Sequence, residues 1–258
     1  MARILVTNDD GVSAEGLLRL QEVLADIDGT EVIVVAPDRE QSATSHSLTL
    51  HRPLRLKEVS AGRYSVDGTP TDCVSLAVFW LMKGSPPDLI VSGINSGLNL
   101  GDDVTYSGTV SATFEGALLG IPSVAFSQDI SAEFSFERAA GFARRLVRSL
   151  LAHPLPEGLL LNVNLPAGQL GPVRLTRLGS RVYRQSVIEK TDPRGRRYFW
   201  IAGTPEWRHE EGTDHAAVAA GEISVTPLHL DLTDYERLND PSGLNRWLLA
   251  LEPEPSER

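Results

Sequence analysis

Residues 1–11 read MARILVTNDDG, and this stretch decides the fold. The apolar run Ile4–Val6 is typical of a short buried strand, and it ends in the polar run Asn8–Gly11. Open α/β sheets bind their ligands at the carboxyl ends of the strands, so Asp9 and Asp10 are expected in such a site. Adjacent carboxylates repel each other, and a divalent cation with oxygen ligands would offset that repulsion. The same residues could instead form an ordinary strand-to-helix turn, and this stretch alone leaves both interpretations open.

Apolar strand patterns alternate with helical patterns through the first part of the chain. Strands are predicted at 3–7, 31–36, 88–92, 122–127 and 159–164, and helices at 14–25, 70–82, 109–119 and 133–151. The segments 48–56 and 63–67 predict a hairpin-type insertion. Strands that alternate with helices indicate a Rossmann-like α/β fold with a doubly wound, mainly parallel sheet.

Beyond about residue 180 the pattern predicts a C-terminal β-hairpin extension. Two β-rich segments, 183–190 and 196–202, flank the turn sequence DPRG. A hairpin this long is expected to pack on another subunit as an oligomerisation arm, and a solvated arm is the simpler alternative. The predicted units are an α/β core at 1–180, an arm at 181–220, a part at 221–251 that completes the core with a strand (221–227) and a helix (242–251), and a disordered tail at 252–258.

The composition argues against several classes of function. In 258 residues, 34 acidic and 24 basic side chains give a formal net charge of −10, which disfavours nucleic acid polymers and anionic membranes as partners. No apolar run reaches the roughly 18 residues that span a bilayer, and no signal peptide is predicted because the first apolar run stops at Val6. Cys73 is the single cysteine, which excludes an intrachain disulfide and predicts a cytoplasmic protein.

Three polar loops follow predicted strands and should therefore lie at the same edge of the sheet. The first carries Asp9 and Asp10, the second covers 37–45, and the third covers 92–109. Carboxylate, hydroxyl and amide oxygens from these loops would favour Mg²⁺, Mn²⁺ or Ca²⁺ over Zn²⁺. The sequence has no cluster of His and Cys that would suggest zinc.

The residues Ser107, Gly108 and Thr109 open the predicted helix at 109–119. Ser107 is suited to cap the helix, and Gly108 permits close approach of the backbone to another group. Free amides and the helix dipole would make this end an anion site suited to phosphate, with an ordinary capped helix start as the alternative. A metal ion on one side and a helix N-terminus on the other would suit hydrolysis of a phosphate ester.

Five segments together resemble a known family. They are 4–11 (ILVTNDDG), 37–50 (PDREQSATSHSLTL), 68–73 (GTPTDC), 91–109 (VSGINSGLNLGDDVTYSGT) and 224–231 (SVTPLHLD). They occur in family order over most of the chain, and on them the sequence resembles SurE, the survival protein E family of metal-dependent 5′/3′-nucleotidases. The C-terminal hairpin region matches only loosely.

The resemblance implies a role for each matching residue. The positions that match the family's ligands for one divalent ion, Mg²⁺ or Mn²⁺, are Asp9, Asp10, Ser42 and Asn95. The positions that match its phosphate-contacting motif are Ser107, Gly108 and Thr109. Asp9, as the general base, and Asn95, next to the phosphate, are the predicted catalytic residues.

The resemblance also implies an activity and an assembly. Members of the family remove phosphate from nucleoside 5′- and 3′-monophosphates, and some also act on short polyphosphate. They form dimers or tetramers through a C-terminal arm, which agrees with the predicted hairpin. We therefore expect nucleoside monophosphates as substrates and a homodimer or homotetramer as the assembly.

Other residues of these loops are expected to have supporting roles. Loop shaping is favoured over ligand orientation for Asn99, Asp102 and Asp103. Tyr106 could stack on a base or simply pack against its neighbours. The remaining candidates are Asp38 and Arg39 (substrate contact or a turn ion pair), Asp72 (helix start), and Arg194, Arg196 and Arg197 (a solvated hairpin tip).

Two alternative functions compete with hydrolysis by metal-activated water. A phosphatase that forms an aspartyl-phosphate usually has Asp-x-Asp after its first strand, and here Asn8 occupies the position of the nucleophile. A metal-dependent nucleotide sensor or receiver-like domain would bind without turnover. A receiver needs an acceptor Asp after its third strand, and the strand that ends at Ser92 and Gly93 offers none.

Overall fold

A mixed, mainly parallel sheet runs through the part of the chain that the computed structural model describes, which is residues 1–130, 135–182, 186–202, 206–208 and 210–240. In chain order the strands are β1 (Ala2–Thr7), β2 (Thr30–Pro37), β3 (Leu56–Ser60), β4 (Arg63–Val66), β5 (Leu89–Ser96), β6 (Ser123–Gln128), β7 (Leu160–Leu165), β8 (Val173–Leu175), β9 (Arg181–Val182), β10 (Ser186–Thr191), β11 (Arg197–Ala202), β12 (Glu206–Trp207) and β13 (Ile223–Leu228). The helices are α1 (Glu15–Ala25), α2 (Pro70–Leu76), α3 (Gly108–Leu118), α4 (Glu137–Ala152), α5 (Asp214–Ala219) and α6 (Tyr235–Asn239).

The order of strands in the sheet is β3-β4-β2-β1-β5-β6-β7-β13-β8. The run from β4 to β7 is parallel, whereas β3 and β13 are antiparallel to the strands beside them in that run. Parallel neighbours need crossover connections, and helices supply most of them here. The carboxyl ends of β1, β2 and β5 therefore lie side by side, as the sequence predicts for the three polar loops.

Helices cover both faces of this sheet. In β1, Ile4 and Val6 face a cluster with buried side chains of α1 and α4, while Leu5 faces a second cluster that includes side chains of α2 and α3. This alternation follows from the period of two along a strand. A strand buried on both faces reads as a continuous apolar run, which is what the first residues of the chain show.

The predicted doubly wound α/β architecture is confirmed. Every strand of the predicted parallel series is present, although β5 continues through Ser96 instead of ending at residue 92. The predicted helix 70–82 consists of α2 and a π-helical turn at Ala77–Leu81. The sequence patterns do not predict β8, β9, β12, α5 or α6, because such short elements carry little periodic signal.

The prediction that residues 48–56 form the first strand of the hairpin-type insertion is wrong. Strand β3 covers Leu56–Ser60 and pairs with β4 across a turn at Gly62, whose φ is +71°. Because this turn fixes the register of the hairpin, its first strand must lie directly before the turn. The segment before β3 is held by side chains instead: the backbone N–H of Thr49 donates to Asp72 Oδ1 at 2.9 Å.

The predicted C-terminal elements are described in part. Strands β10 and β11 form an antiparallel hairpin, paired from Ser186 opposite Ala202 to Thr191 opposite Arg197. The predicted helix 242–251 and tail 252–258 lie outside the described residues, as does the segment 183–185. None of the described helices combines the length and apolarity that crossing a membrane requires.

Helix α5 fastens the C-terminal part of the chain to the loop after β5. Asp214 is fully buried, and its carboxylate accepts hydrogen bonds from the backbone N–H groups of Gly101 at 2.7 Å, Gly179 at 2.8 Å and His215 at 2.8 Å. Burial nevertheless raises the pKa of Asp214 above its ordinary value. The segment 181–220, predicted to be an arm, thus comprises the hairpin and a helix that packs on β7 and β13.

We predict that Asp214→Ala lowers the free energy of unfolding by about 2–4 kcal/mol, because it leaves buried N–H groups without their charged acceptor. Urea unfolding followed by circular dichroism measures the change. Asp28→Ala, at an exposed position, is the control and should stay within about 0.5 kcal/mol of the wild type. Equal stability of the two variants would contradict the role of Asp214.

Candidate active site

A cavity of about 530 Å³ opens at the edge of the sheet where β1, β2 and β5 end. Ligand pockets typically measure about 300–1,000 Å³, so it could hold a nucleotide-sized molecule. The predicted site residues that line it are Asp9, Asp10, Ser42, Asn95 and Ser107. The structure therefore brings together residues that are distant in the sequence.

The turn after β1 is closed by the side chain of Asn8. Its Oδ1 accepts a hydrogen bond from the N–H of Gly11 at 3.2 Å, and its Nδ2 donates to the carbonyl of Gly11 at 3.1 Å. Gly11 has a φ of +104°, which L side chains rarely adopt. The backbone carbonyl of Asp9 accepts from the N–H of Gln41 at 2.7 Å, which ties this turn to the second loop.

Asp9 is a buried carboxylate at the N-terminus of α3. Its side chain accepts a hydrogen bond from the hydroxyl of Thr109, and the residue is 5% exposed. Burial raises the pKa of Asp9 to about 6. The hydrogen bond from Thr109 lowers this pKa, whereas the negative charge of Asp10 raises it further. A carboxylate with such a pKa can accept a proton near neutral pH.

Gly108 allows this close approach of helix and carboxylate. A Cβ atom at Gly108 would lie 2.7 Å from Cβ and 2.8 Å from Oδ2 of Asp9. Ser107 caps the helix, since its hydroxyl accepts from the N–H of Val110 at 3.1 Å. The first amides of α3 are thereby aimed at the position of Asp9, where the helix dipole favours negative charge.

The three predicted phosphate-binding residues differ in their placement. Ser107 lines the cavity, and Gly108 lies against Asp9. Thr109 is fully buried and its hydroxyl is engaged by Asp9, so its side chain positions the carboxylate. This arrangement adds a structural role to the residue that the sequence motif assigns to phosphate.

Asp10 and Glu40 place further negative charge in the cavity. Asp10 Oδ2 accepts from the N–H of Ser96 at 3.3 Å, and burial raises its pKa, with a smaller contribution from Glu40. Glu40 Oε1 accepts from the hydroxyl of Ser42 at 2.7 Å. Glu40 belongs to no motif, and its only signal in the sequence is its place two residues before Ser42 in the second loop.

The donor atoms at this edge fit a hard cation. Asn95 donates from Nδ2 to the carbonyl of Gly97 at 2.9 Å, so its carbonyl oxygen is the atom that can coordinate a cation. No group of three or more His, Cys, Asp or Glu side chains with metal-binding geometry occurs among the described residues. A cation here would therefore depend on the carboxylates of Asp9 and Asp10 together with hydroxyl and amide oxygens. Its charge would favour the ionised form of both carboxyl groups, whose pKa values are raised chiefly by burial.

The second loop is held against the third by backbone and side-chain bonds. The Ser45 hydroxyl donates to the carbonyl of Thr105 at 2.7 Å, and the Ser45 N–H donates to the carbonyl of Tyr106 at 3.1 Å. Asp72 lies at the start of α2, as predicted, where it forms a capping box with Thr69, and it also accepts from the hydroxyl of Thr49 at 2.6 Å. These contacts fix the backbone after Ser42, and the bond from the N–H of Gln41 to the carbonyl of Asp9 fixes it before Ser42.

Asn99 has the expected loop-shaping position. Its N–H donates to Asn164 Oδ1 at 2.8 Å, and its carbonyl accepts from Nδ2 of Asn162 and of Asn164, each at 2.9 Å.

Tyr106 lines the cavity and is 56% exposed, with its ring accessible from solvent. Near the hairpin tip, Arg196 bonds to Asp192 at 3.0 Å.

Arg181 also lines the cavity and is not indicated by any sequence motif. Its N–H donates to Asp102 Oδ2 at 2.8 Å, and its guanidinium donates from Nη1 to Asp103 Oδ1 at 2.5 Å. The residues that it joins lie 78 positions or more away in the chain. Only the folded structure brings them together.

Comparisons with known proteins show which family this chain is similar to. The family model described as Survival protein SurE matches residues 4–185. The chain is 53% identical to the 5′-nucleotidase SurE of Geobacter sulfurreducens, over 98% of this chain and 97% of the relative, and 53% identical to that of Myxococcus xanthus, over 93% and 92%. The crystal structure of the SurE protein from Aquifex aeolicus is similar with a TM-score of 0.83 and 43% identity, covering 94% of this chain and 99% of the other.

We predict that Asp9→Asn stabilises the metal-free protein at alkaline pH. The folded-state pKa of Asp9, about 6, lies above the ordinary value of 3.8, so the folded state binds the proton more tightly than the unfolded state. Ionisation of Asp9 therefore costs stability progressively as the pH rises from about 4 to about 6. Removing the charge should raise the free energy of unfolding by about 1–3 kcal/mol at pH 8.

Urea unfolding in EDTA at a series of pH values between 4 and 8 measures this effect. The gain should shrink toward pH 4, where the wild-type carboxyl is protonated in the folded state. Asp28→Asn, at an exposed position, is the matched control and should show no such pH dependence. A stability of Asp9→Asn at pH 8 equal to or below that of the wild type would show that burial of Asp9 carries no electrostatic cost.

Proposed function

The chain belongs to the SurE family, and we propose that it is a metal-dependent phosphomonoesterase that releases phosphate from nucleoside 5′- and 3′-monophosphates. Short polyphosphate is a further proposed substrate. The observation that carries the proposal is the buried carboxylate of Asp9 beside Asp10, at the N-terminus of α3 and on a nucleotide-sized cavity. The names of the relatives support the nucleotidase class of this activity.

The proposed cofactor is one Mg²⁺ or Mn²⁺ ion. Its ligands would be oxygen atoms of Asp9, Asp10, Ser42 and Asn95, all of which line the cavity. When bound, such an ion polarises a phosphoryl oxygen and lowers the pKa of a coordinated water. The all-oxygen donor set supports this class of cation.

The residues of the chain would divide the remaining work. Thr109 holds Oδ1 of Asp9, so Oδ2 is the atom that would accept a proton from the attacking water. Asn95 would orient the phosphate beside that water. Ser107 and the backbone N–H of Gly108 would offset negative charge on the phosphate oxygens, as the N-terminus of a helix does for anions.

The structure supports water as the nucleophile over a covalent aspartyl-phosphate. The position of that nucleophile is held by Asn8, which is fully buried and closes the turn with Gly11. A non-enzymatic nucleotide sensor is the remaining alternative. It would use the same cavity but would not need a carboxylate whose pKa is raised to about 6.

The hairpin of β10 and β11 supports a proposed homodimer or homotetramer. Apolar side chains are exposed on both of its faces, with Phe199 and Ile201 on one (56% and 91% exposed) and Trp200 on the other (59%). Exposed apolar surface of this kind marks interaction sites. We also propose that the protein acts in the cytoplasm, in keeping with a single, buried, free cysteine at Cys73.

The test of the activity is phosphate release from a panel of nucleoside 5′- and 3′-monophosphates and tripolyphosphate, in EDTA and with added Mn²⁺ or Mg²⁺. We expect release only with metal, and a loss of turnover by at least about 100-fold in Asp9→Asn, which removes the general base. Asp28→Asn should keep the wild-type rate. Tight nucleotide binding by folded wild-type protein without release would favour the sensor, and full activity of Asp9→Asn would exclude Asp9 as the base.

The test of the assembly is sedimentation velocity of Phe199→Ser/Ile201→Ser, which removes the apolar pair from one face of the hairpin. We expect the wild type to sediment as a dimer or tetramer and the double variant to shift toward the monomer. Arg194→Ser, in the hairpin turn, is the control and should leave the assembly intact. A monomeric wild type, or a double variant that assembles like the wild type, would contradict the proposed interface.

A further inference from the structure

The charge of the cavity poses a problem for an anionic substrate. Its described lining contains the carboxylates of Asp9, Asp10, Glu40 and Asp103, and among those lining residues Arg181 is the one cation. A phosphate monoester carries close to two negative charges at neutral pH. A cavity lined by one sign of charge repels ions of that sign, so its positive groups decide where an anion can sit.

Arg181 is held firmly on the cavity wall by residues of the third loop. Its backbone N–H donates to Asp102 Oδ2 at 2.8 Å, and its Nη1 donates to Asp103 Oδ1 at 2.5 Å. The side chain is 21% exposed, so most of it is packed against the protein. A guanidinium carries its N–H donors in a rigid plane, and the bond from Nη1 to Asp103 fixes the orientation of that plane.

The same wall carries the N-terminus of α3. Asp103 pairs with Arg181 through its side chain, and the backbone carbonyl of Asp103 accepts a hydrogen bond from the N–H of Ser107 at 3.2 Å. Ser107 lines the cavity and caps the helix. The guanidinium is therefore linked by a single residue, Asp103, to the helix end that the proposed function assigns to phosphate.

We propose that Arg181 contacts the non-bridging oxygens of the substrate phosphate, with Asp103 as the residue that positions its guanidinium. This role rests on the proposed phosphomonoesterase function. The planar fork of arginine matches two phosphate oxygens at once, and the pair with Asp103 keeps it oriented before substrate arrives. The phosphate would then lie between the oxygen ligands of Asp9 and Asp10 on one side and Arg181 with the amides of α3 on the other.

Arg181 lies just before the hairpin that is proposed as the oligomerisation arm. Strand β9, which carries it, pairs with β12 so that Arg181 lies opposite Trp207, and these two short strands flank the hairpin in the sequence. Trp207 stacks on His215 with ring centroids 4.7 Å apart, and His215 follows the buried Asp214. The phosphate contact would thus be supplied by the segment that also leads into the proposed oligomerisation arm.

The experiment compares Arg181→Met and Arg181→Lys with Arg174→Met. Arg174 pairs with Glu222 at 2.8 Å, is 58% exposed and lies outside the cavity lining, so its variant removes one surface ion pair of similar type. Each protein is assayed with AMP and with p-nitrophenyl phosphate in Mn²⁺. Inorganic phosphate is titrated calorimetrically into each Mn²⁺-loaded protein as a binding readout that needs no turnover.

We expect Arg181→Met to raise KM for AMP and p-nitrophenyl phosphate alike, and the Kd for inorganic phosphate with them, by about tenfold or more, with a fall in kcat. Arg181→Lys should recover part of the loss, because a point charge replaces the fork. Arg174→Met should match the wild type. Circular dichroism shows whether each variant is folded, and if Arg181→Met is not, Arg181→Lys decides through a Kd for phosphate raised at least about threefold.

Two outcomes would overturn the inference. Weaker binding of AMP with unchanged binding of p-nitrophenyl phosphate and inorganic phosphate would mean that Arg181 contacts the nucleoside. Folded Arg181 variants that behave like Arg174→Met would mean that the ion pair only fastens β9 to the third loop. If the wild type releases no phosphate, the proposed function fails by itself, and the phosphate titration still decides for or against Arg181.

Discussion

The site depends on one close contact, in which the N-terminus of α3 meets the side chain of Asp9. The hydroxyl of Thr109 holds the carboxylate, and the absence of a side chain at Gly108 lets the helix come within van der Waals distance of it. This contact fixes the carboxyl end of β1 relative to the helix that would bind an anion. It also makes the ionised form of Asp9 unfavourable, because the same packing that aligns Asp9 removes its carboxyl group from water and raises its pKa to about 6.

Buried polar side chains hold the surrounding loops in place, and each spans a large distance in sequence. Asp72 accepts bonds from Thr49, which follows the second loop, Asn164 joins β7 to Asn99, and Asp214 binds the N–H of Gly101. Loops at the edge of a sheet expose backbone donors and acceptors, and side chains that satisfy them make the loop conformation unique. The backbone around the predicted ligands is thereby determined by groups that touch no substrate.

Local sequence signals predicted the elements whose formation depends on residues that are close together in the chain. The strand periodicity and helix caps gave the sheet and its helices, and the rule that ligands bind at the carboxyl ends of parallel strands placed Asp9, Asp10 and Asn95 at one edge. The ligand and phosphate roles of these residues stay predictions. The first arm of the insertion was misplaced because side-chain bonds to Thr49 compete with strand pairing there. Arg181, Glu40 and Asp214 carry no motif, and their importance arises from contacts across the folded chain.

The acidity of the cavity relates stability to the proposed chemistry. Packing Asp9 and Asp10 side by side works against folding, since burial raises both pKa values. The charge of Asp10 raises the pKa of Asp9 further, and the charge of Glu40 raises that of Asp10. Active sites commonly contain such unfavourable arrangements, which a bound ligand then relieves. A divalent cation would neutralise the carboxylates on one side, and Arg181, paired with Asp103, contributes positive charge on the other. A dianionic phosphate between them would complete the charge balance. The buried carboxylates that work against folding are therefore the groups that would make the site selective for a phosphate monoester bound together with a metal ion.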